Sequence, residues 1–140
     1  MSLPAPFHFA FFIRELESTR RFYVDVLGCR EGRSTDTWVD FDFFGNQISA
    51  HLSDSPPDTR NTGQVDGVAV PMPHFGAIVP WEQFNQIADR IRAAQIPFVI
   101  EPRSRYVGEP GEQATMFLID PSGNALEFKS FRNPEHVFTA

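Results

Sequence analysis

The alternation of apolar and polar residues divides the chain into two runs built on one plan. Residues 7–13, Phe-His-Phe-Ala-Phe-Phe-Ile, have the bulky aromatic content that favours a strand. Phe22, Tyr23, Val26 and Leu27 then recur at helical spacing, with Ser18 as the expected cap and Gly28 as a natural stop. Three short strands are expected near 30–33, 37–43 and 47–52, the last two joined by Phe44-Gly45-Asn46. The second run opens at 73–79 with Pro-His-Phe-Gly-Ala-Ile-Val, again a short strand with histidine as its second residue. Pro80 suits a first helical turn, and Trp81, Phe84, Ile87, Ile91 and Ala94 mark one helical face that Pro97 ends. Strands are expected near 98–101, 114–119 and 125–131, with Asp120-Pro121-Ser122-Gly123-Asn124 turning between the last two.

The order βαβββ therefore occurs twice. The fold class expected is α+β, with two tandem βαβββ modules forming curved mixed sheets around a cleft and helices outside. One domain spans 1–140: module one is 7–52, a linker 53–72, module two 73–131 and a tail 132–140. The linker holds Pro56, Pro57, Asp58, Asn61, Gly63, Asp66, Gly67 and Pro71, which is loop chemistry joining the two copies.

Composition narrows the partners. With 140 residues, 41% hydrophobic and 21% charged, the chain is that of a globular protein. A net charge of −6 argues against a nucleic-acid partner, whose phosphates need clustered Lys and Arg. No apolar run approaches the roughly 20 residues that cross a bilayer, so no membrane role is expected. A single cysteine, Cys29, forms no internal disulfide, and the start does not resemble a signal peptide; a reducing cytoplasm is the expected location.

Candidate chemistry lies at matched places in the repeat. His8 and His74 occupy the opening strand of each copy, while His51 on the closing strand of the first is matched to Glu127 in the second. Strand alternation puts His8 on a face with Ala10 and Phe12, and sets Glu127 apart from Leu126 and Phe128. A carboxylate between bulky apolar neighbours is costly to bury unless it is paired or bound to metal. If the copies pair about a local two-fold axis, His8, His74 and Glu127 form a two-histidine, one-carboxylate face that suits Fe(II), Mn(II) or Ni(II), with Zn(II) also open. His51 is then a fourth ligand or an acid/base, and His136 lies in the polar tail.

These residues resemble the vicinal oxygen chelate superfamily, which includes glyoxalase I, extradiol dioxygenases, bleomycin-resistance proteins and fosfomycin-resistance enzymes. The marks are the two opening-strand histidines, the Phe22-Tyr23 to Leu27-Gly28 helix end, and the run from Asp120-Pro121-Ser122-Gly123-Asn124 through Glu127-Phe128. Within it, Pro73-His74-Phe75-Gly76 and the stretch 108–116 resemble a compact bacterial group described as predicted extradiol-type dioxygenases.

The resemblance implies a metal triad of His8, His74 and Glu127 and an enzyme that opens the ring of a small catechol-like substrate, with one divalent ion, Fe(II) first and Mn, Ni or Zn as alternatives. Glyoxalase I commonly has a carboxylate at the place assigned to His51, so His51 departs from that pattern. His51 and Tyr106 are the nearest candidates, by residue type, for the catalytic histidine and tyrosine of larger extradiol dioxygenases. Phe9 and Phe12 are expected to wall the pocket, with Arg103, Arg105 and Tyr106 orienting a polar or anionic substituent. A homodimer is implied, with modules paired within or between chains. The alternatives are a glyoxalase-like isomerase or lyase, a group transferase, and a small-molecule binding protein.

Overall fold

In the computed structural model, residues 5–55, 62–65 and 67–139 are described. The fold is α+β with the βαβββ plan present twice, in two units: residues 1–58 with 121–123, and residues 59–120 with 124–140.

In the first unit, β1 (His8–Ile13), β2 (Arg30–Ser34), β3 (Trp38–Phe43) and β4 (Asn46–Leu52) form a sheet in the order β1-β4-β3-β2. Strands β1 and β4 are parallel and the other pairs antiparallel. One face is apolar, with Phe11, Ile13, Val39, Phe41, Phe43, Ile48 and Ala50 buried. It is covered by α1 (Leu16–Arg20) and the π-helical turn Arg21–Val26. Tyr23 from that turn is fully buried, its ring 5.2 Å from Phe41 and 6.0 Å from Phe11. Each such ring contributes about 1.5–3 kcal/mol by leaving water.

Local signals place the ends of these elements. Leu27 N–H donates to the Phe22 carbonyl at 3.0 Å, the five-residue step of a π turn, and Gly28 then reverses the chain at φ 80°. The cap is Glu15, whose Oε1 accepts from Ser18 N at 3.2 Å. Ser18, the expected cap, sits inside the helix because Leu16 and Thr19 already follow its course. Phe44 (φ 51°) and Gly45 (φ 86°) are both left-handed, the geometry that closes a two-residue hairpin between twisted strands.

The expected linker contains an element. Strands β5 (Thr62–Val65) and β6 (Val68–Pro71) form an antiparallel hairpin in which Val65 pairs with Val68 across Gly67, at φ 77°. The Asp66-Gly67 dipeptide, read as loop chemistry, is also a hairpin signal when valines flank it. Residues 56–61 and 66 of that linker lie outside the described residues.

The second unit repeats the plan with β7 (Phe75–Ile78), α2 (Trp81–Ala93), β8 (Phe98–Arg105), β9 (Gln113–Ile119) and β10 (Ala125–Phe131). Its sheet order is β7-β10-β9-β8, with β7 parallel to β10. Helix α2 buries Phe84, Ile87, Ala88 and Ile91, and Leu126, Phe128 and Met116 are buried on one face of the sheet. Its head is Pro80, and Gln95 at φ 59° follows its end. The turn before β10 is closed by Asp120, which accepts from Asn124 N at 2.8 Å and from its amide at 3.0 Å.

Strand β8 runs four residues beyond the expected 98–101, and its pairing with β9 shifts twice, between Phe98 and Ile100 and between Ile100 and Arg103. After the second shift Arg103 pairs with Thr115 and Arg105 with Gln113. Simple alternation from Ile100 would have turned both arginines to the opposite face; the shift puts them on the face that Glu127 shares with Phe117 and Thr115. No described helix is long and apolar enough to cross a membrane.

Candidate functional site

The second unit brings His74 and Glu127 together. His74 stands one residue before β7 rather than on it, and its side chain and that of Glu127 are 19% and 11% exposed. Nδ1 of His74 lies 2.7 Å from the Pro71 carbonyl, which can only accept, so Nδ1 carries the proton. In the neutral ring Nε2 then presents a bare lone pair, and it faces Glu127 Oε1 at 3.3 Å. Two acceptors so placed need either a second proton on the ring or a cation between them. Donors about 2.1 Å from one metal stand about 3.0 Å apart at a right angle and about 3.4 Å at the tetrahedral angle, so the observed spacing fits a shared divalent ion.

The surroundings hold that pair in place. Glu127 Oε2 accepts a short hydrogen bond from the hydroxyl of Thr115, a side chain 1% exposed. The His74 ring meets Phe117 edge-on, with centroids 5.0 Å apart. Lys129 Nζ reaches Glu127 Oε1 at 4.0 Å. A cavity of about 230 Å³ is lined by His74, Gly76, Ile78, Glu127 and Lys129 among others. Gly76 pairs directly with Glu127, and a Cβ there would overlap the Glu127 carbonyl oxygen and stand 2.6 Å from its carbon. Only glycine lets β7 approach this closely. The sequence shows Gly76 only as part of the Pro73-His74-Phe75-Gly76 run; the reason it must be glycine lies in the partner strand.

In the first unit, the sheet face opposite the core carries His8, Ala10 and Phe12 in register with Gln47, Ser49 and His51 of β4. On β3 the same rows continue to Asp42, Asp40 and Trp38. His8 Nδ1 lies 2.9 Å from Gln47 Oε1, Gln47 Nε2 donates to Asp40 Oδ2 at 3.2 Å, and the Ser49 hydroxyl donates to Asp40 Oδ1 at 2.6 Å. Trp38, Asp40, Asp42, Asn46 and Gln47 contribute to a cavity of about 470 Å³.

The registers correct the matching of His51 with Glu127. Gly76, two residues after His74, pairs with Glu127, whereas Ala10, two residues after His8, pairs with Ser49. The counterpart of Glu127 is therefore Ser49, and His51 corresponds to Lys129, the partner of Ile78. His51 stands four residues along β4 from the His8 row, about 13 Å at strand rise, which is too far for both rings to hold one ion. Its ring lies 6.2 Å from Trp38, tilted by 34°.

The remaining candidates divide by face. Phe12 is 58% exposed on the His8 face, but Phe9 points the other way and stacks on Phe11 at 5.7 Å, so it walls no pocket with His8. Arg103 has its Nε buried without a hydrogen-bond partner among the described residues. Arg105 lies over the Tyr106 ring at 5.0 Å and donates to its hydroxyl at 3.0 Å. Tyr106 lines a separate cavity of about 580 Å³ with Glu109, Gln113 and His136, so it stands apart from the His74–Glu127 cavity. His136 is paired with Thr139 at 3.1 Å. Among the described residues, no three or more His, Cys, Asp or Glu side chains form a group placed to hold a metal ion.

The chain matches the family model of the Glyoxalase/Bleomycin resistance protein/Dioxygenase superfamily over residues 6–128. No curated protein matches it. Among solved structures it is similar to a glyoxalase/bleomycin resistance protein/dioxygenase from Alicyclobacillus acidocaldarius, at 32% identity over 96% of each chain with a TM-score of 0.77. It shares the fold of the genomically encoded fosfomycin resistance protein FosX from Listeria monocytogenes, at 17% identity over 96% of this chain and 98% of that one, TM-score 0.71. A virulence protein from Salmonella typhimurium is similar at 22% identity, covering 94% and 99%, with a TM-score of 0.63. With the family matched along most of its length, the chain belongs to the Glyoxalase/Bleomycin resistance protein/Dioxygenase superfamily.

Proposed function

We propose that this protein is a metal-dependent dioxygenase that holds one divalent ion, Fe(II) in preference to Mn, Ni or Zn, with His8, His74 and Glu127, and opens the ring of a small catechol-like substrate by extradiol cleavage. The observation that carries the reading is the His74–Glu127 pair, with Nε2 of one 3.3 Å from Oε1 of the other on largely buried side chains. The superfamily includes metalloenzymes, among them glyoxalases and dioxygenases. His8 joins the pair by its matched place in the repeat. His8, His74 and Glu127 would hold such an ion, which would supply Lewis-acid polarisation of adjacent substrate oxygens bound to it.

The protein's own residues then have separate tasks. Thr115 holds Glu127 by donating to one carboxylate oxygen, and the Pro71 carbonyl holds the His74 ring. Ser49, at the place that corresponds to Glu127, spends its proton on Asp40, which favours three protein ligands over four. His51 serves the substrate as an acid/base rather than the ion as a ligand. Arg103, whose buried Nε has no hydrogen-bond partner among the described residues, orients an anionic substituent. A homodimer is part of the same proposal, by family resemblance.

Oxygen uptake tests the reaction class. Protein loaded anaerobically with Fe(II) should consume oxygen with one or more catechols and yield ring-opened product. Turnover that persists unchanged without oxygen, on Ni(II) or Zn(II), would replace the dioxygenase reading with an isomerase, lyase or group-transfer reading, for which a Lewis acid suffices.

A further inference from the structure

The hydrogen bonds around His8 have a direction, and that direction is set at their far end. Asp40 is a carboxylate and can only accept. It takes the Ser49 hydroxyl at 2.6 Å on Oδ1 and the Gln47 amide at 3.2 Å on Oδ2. Gln47 must therefore turn its NH₂ toward Asp40 and its carbonyl oxygen toward His8; the flipped amide would set two oxygens against each other. That oxygen lies 2.9 Å from His8 Nδ1 and needs a donor there. In the neutral imidazole the proton is consequently on Nδ1 and the lone pair on Nε2.

We propose that Ser49, Asp40 and Gln47 form a positioning relay that fixes the tautomer and ring orientation of His8, with Nε2 left bare to bind a divalent ion. The proposal rests on the reading of His8 as a metal ligand. It assigns roles to three residues of β3 and β4 that touch neither the ion nor the substrate oxygens. The second unit achieves the same outcome differently, since a backbone carbonyl, that of Pro71, receives the Nδ1 proton of His74. Ser49 is 6% exposed and anchors the inner end, whereas Gln47 is exposed and can be replaced without disturbing the core. Two histidines in matched places thus present the same nitrogen, one oriented by side chains and the other by main chain.

Two variants separate this relay from a merely structural contact. Gln47→Leu removes the acceptor facing His8 and keeps the Asp40 charge. Asp40→Asn keeps the shape but supplies an amide donor, which lets Gln47 flip and donate to His8 Nδ1. The readouts are the ring-nitrogen chemical shifts of His8 by NMR in metal-free protein, assigned with His8→Ala, and Co(II) affinity by calorimetry. The expected result is Nδ1–H in the parent protein, a shift toward Nε2–H in both variants, and about 10- to 100-fold weaker Co(II) binding with little change in melting temperature. A parent protein with His8 as Nε2–H, or variants that keep the Nδ1–H form and full affinity, overturns the relay. A parent protein that binds no Co(II) while both variants still move the His8 proton establishes the relay's hold on the ring and overturns the metal reading beneath it.

Discussion

Replacing Gly76 with alanine should damage both the second sheet and the metal pair, for a reason that lies in the neighbouring strand. Gly76 is not in a left-handed conformation, so the substitution adds no φ strain. What it adds is a methyl group overlapping the Glu127 carbonyl oxygen and 2.6 Å from its carbon, both backbone atoms that cannot swing aside. An ordinary carbon contact is about 3.5–4.0 Å, so β7 must retreat from β10 by an ångström or more. The parallel ladder it leaves runs from Phe75 opposite Leu126 to Ile78 opposite Lys129. Losing two to four of its hydrogen bonds, at about 1 kcal/mol net each, gives about 2–4 kcal/mol of destabilisation. At roughly 3 °C per kcal/mol for a chain of this size, the melting temperature falls by about 6–12 °C. Because β7 carries the chain onward from His74, the same retreat widens the gap from Nε2 to Glu127 and weakens metal binding at least 10-fold. Calorimetric melting and Co(II) titration measure the two effects, with Gly111→Ala as control, since a Cβ there meets nothing within 4 Å. A Gly76→Ala protein that melts and binds metal like the control would refute this account of the close approach.

Two further substitutions probe the same unit. Thr115→Val preserves shape but leaves Glu127 Oε2 without its donor; the expected cost is about 1–3 kcal/mol in denaturant unfolding, together with weaker metal binding, and an unchanged midpoint would show that the hydroxyl contributes nothing. Asp120→Ala removes two hydrogen bonds to Asn124 at the head of β10; denaturation should report a loss of about 1–3 kcal/mol, and hydrogen exchange should rise first at Asn124.

Much of the fold was legible because its signals are local. Gly28 after Leu27, the Phe44-Gly45 pair and the run from Asp120 to Asn124 each specify a turn within a few residues, and helix α2 declares itself through Phe84, Ile87 and Ile91. The histidine echo also survived: His8 and His74 occupy corresponding places and each has Nδ1 engaged by an oxygen. What the sequence could not supply was register. Counting along the chain matched His51 with Glu127, but the parallel pairing of β1 with β4 shows Ser49 to be the counterpart, two residues earlier. The same blindness to partners hid Gly76, the shifts that turn Arg103 and Arg105 toward Thr115 and Gln113, and the acceptance by Asp40 that orders Gln47. Glu15 was missed as a cap because a serine three residues later looked better by type alone.

Whether His8, His74 and Glu127 share one ion, as proposed, is decided by metal stoichiometry from elemental analysis after loading with Fe(II) or Co(II) and desalting. The expected result is about one ion per chain in the parent protein and near-complete loss in His8→Ala, His74→Ala and Glu127→Ala, each still folded by circular dichroism, while His51→Ala keeps its ion. A parent protein that retains no ion, or a Glu127→Ala protein that retains a full one, would contradict it.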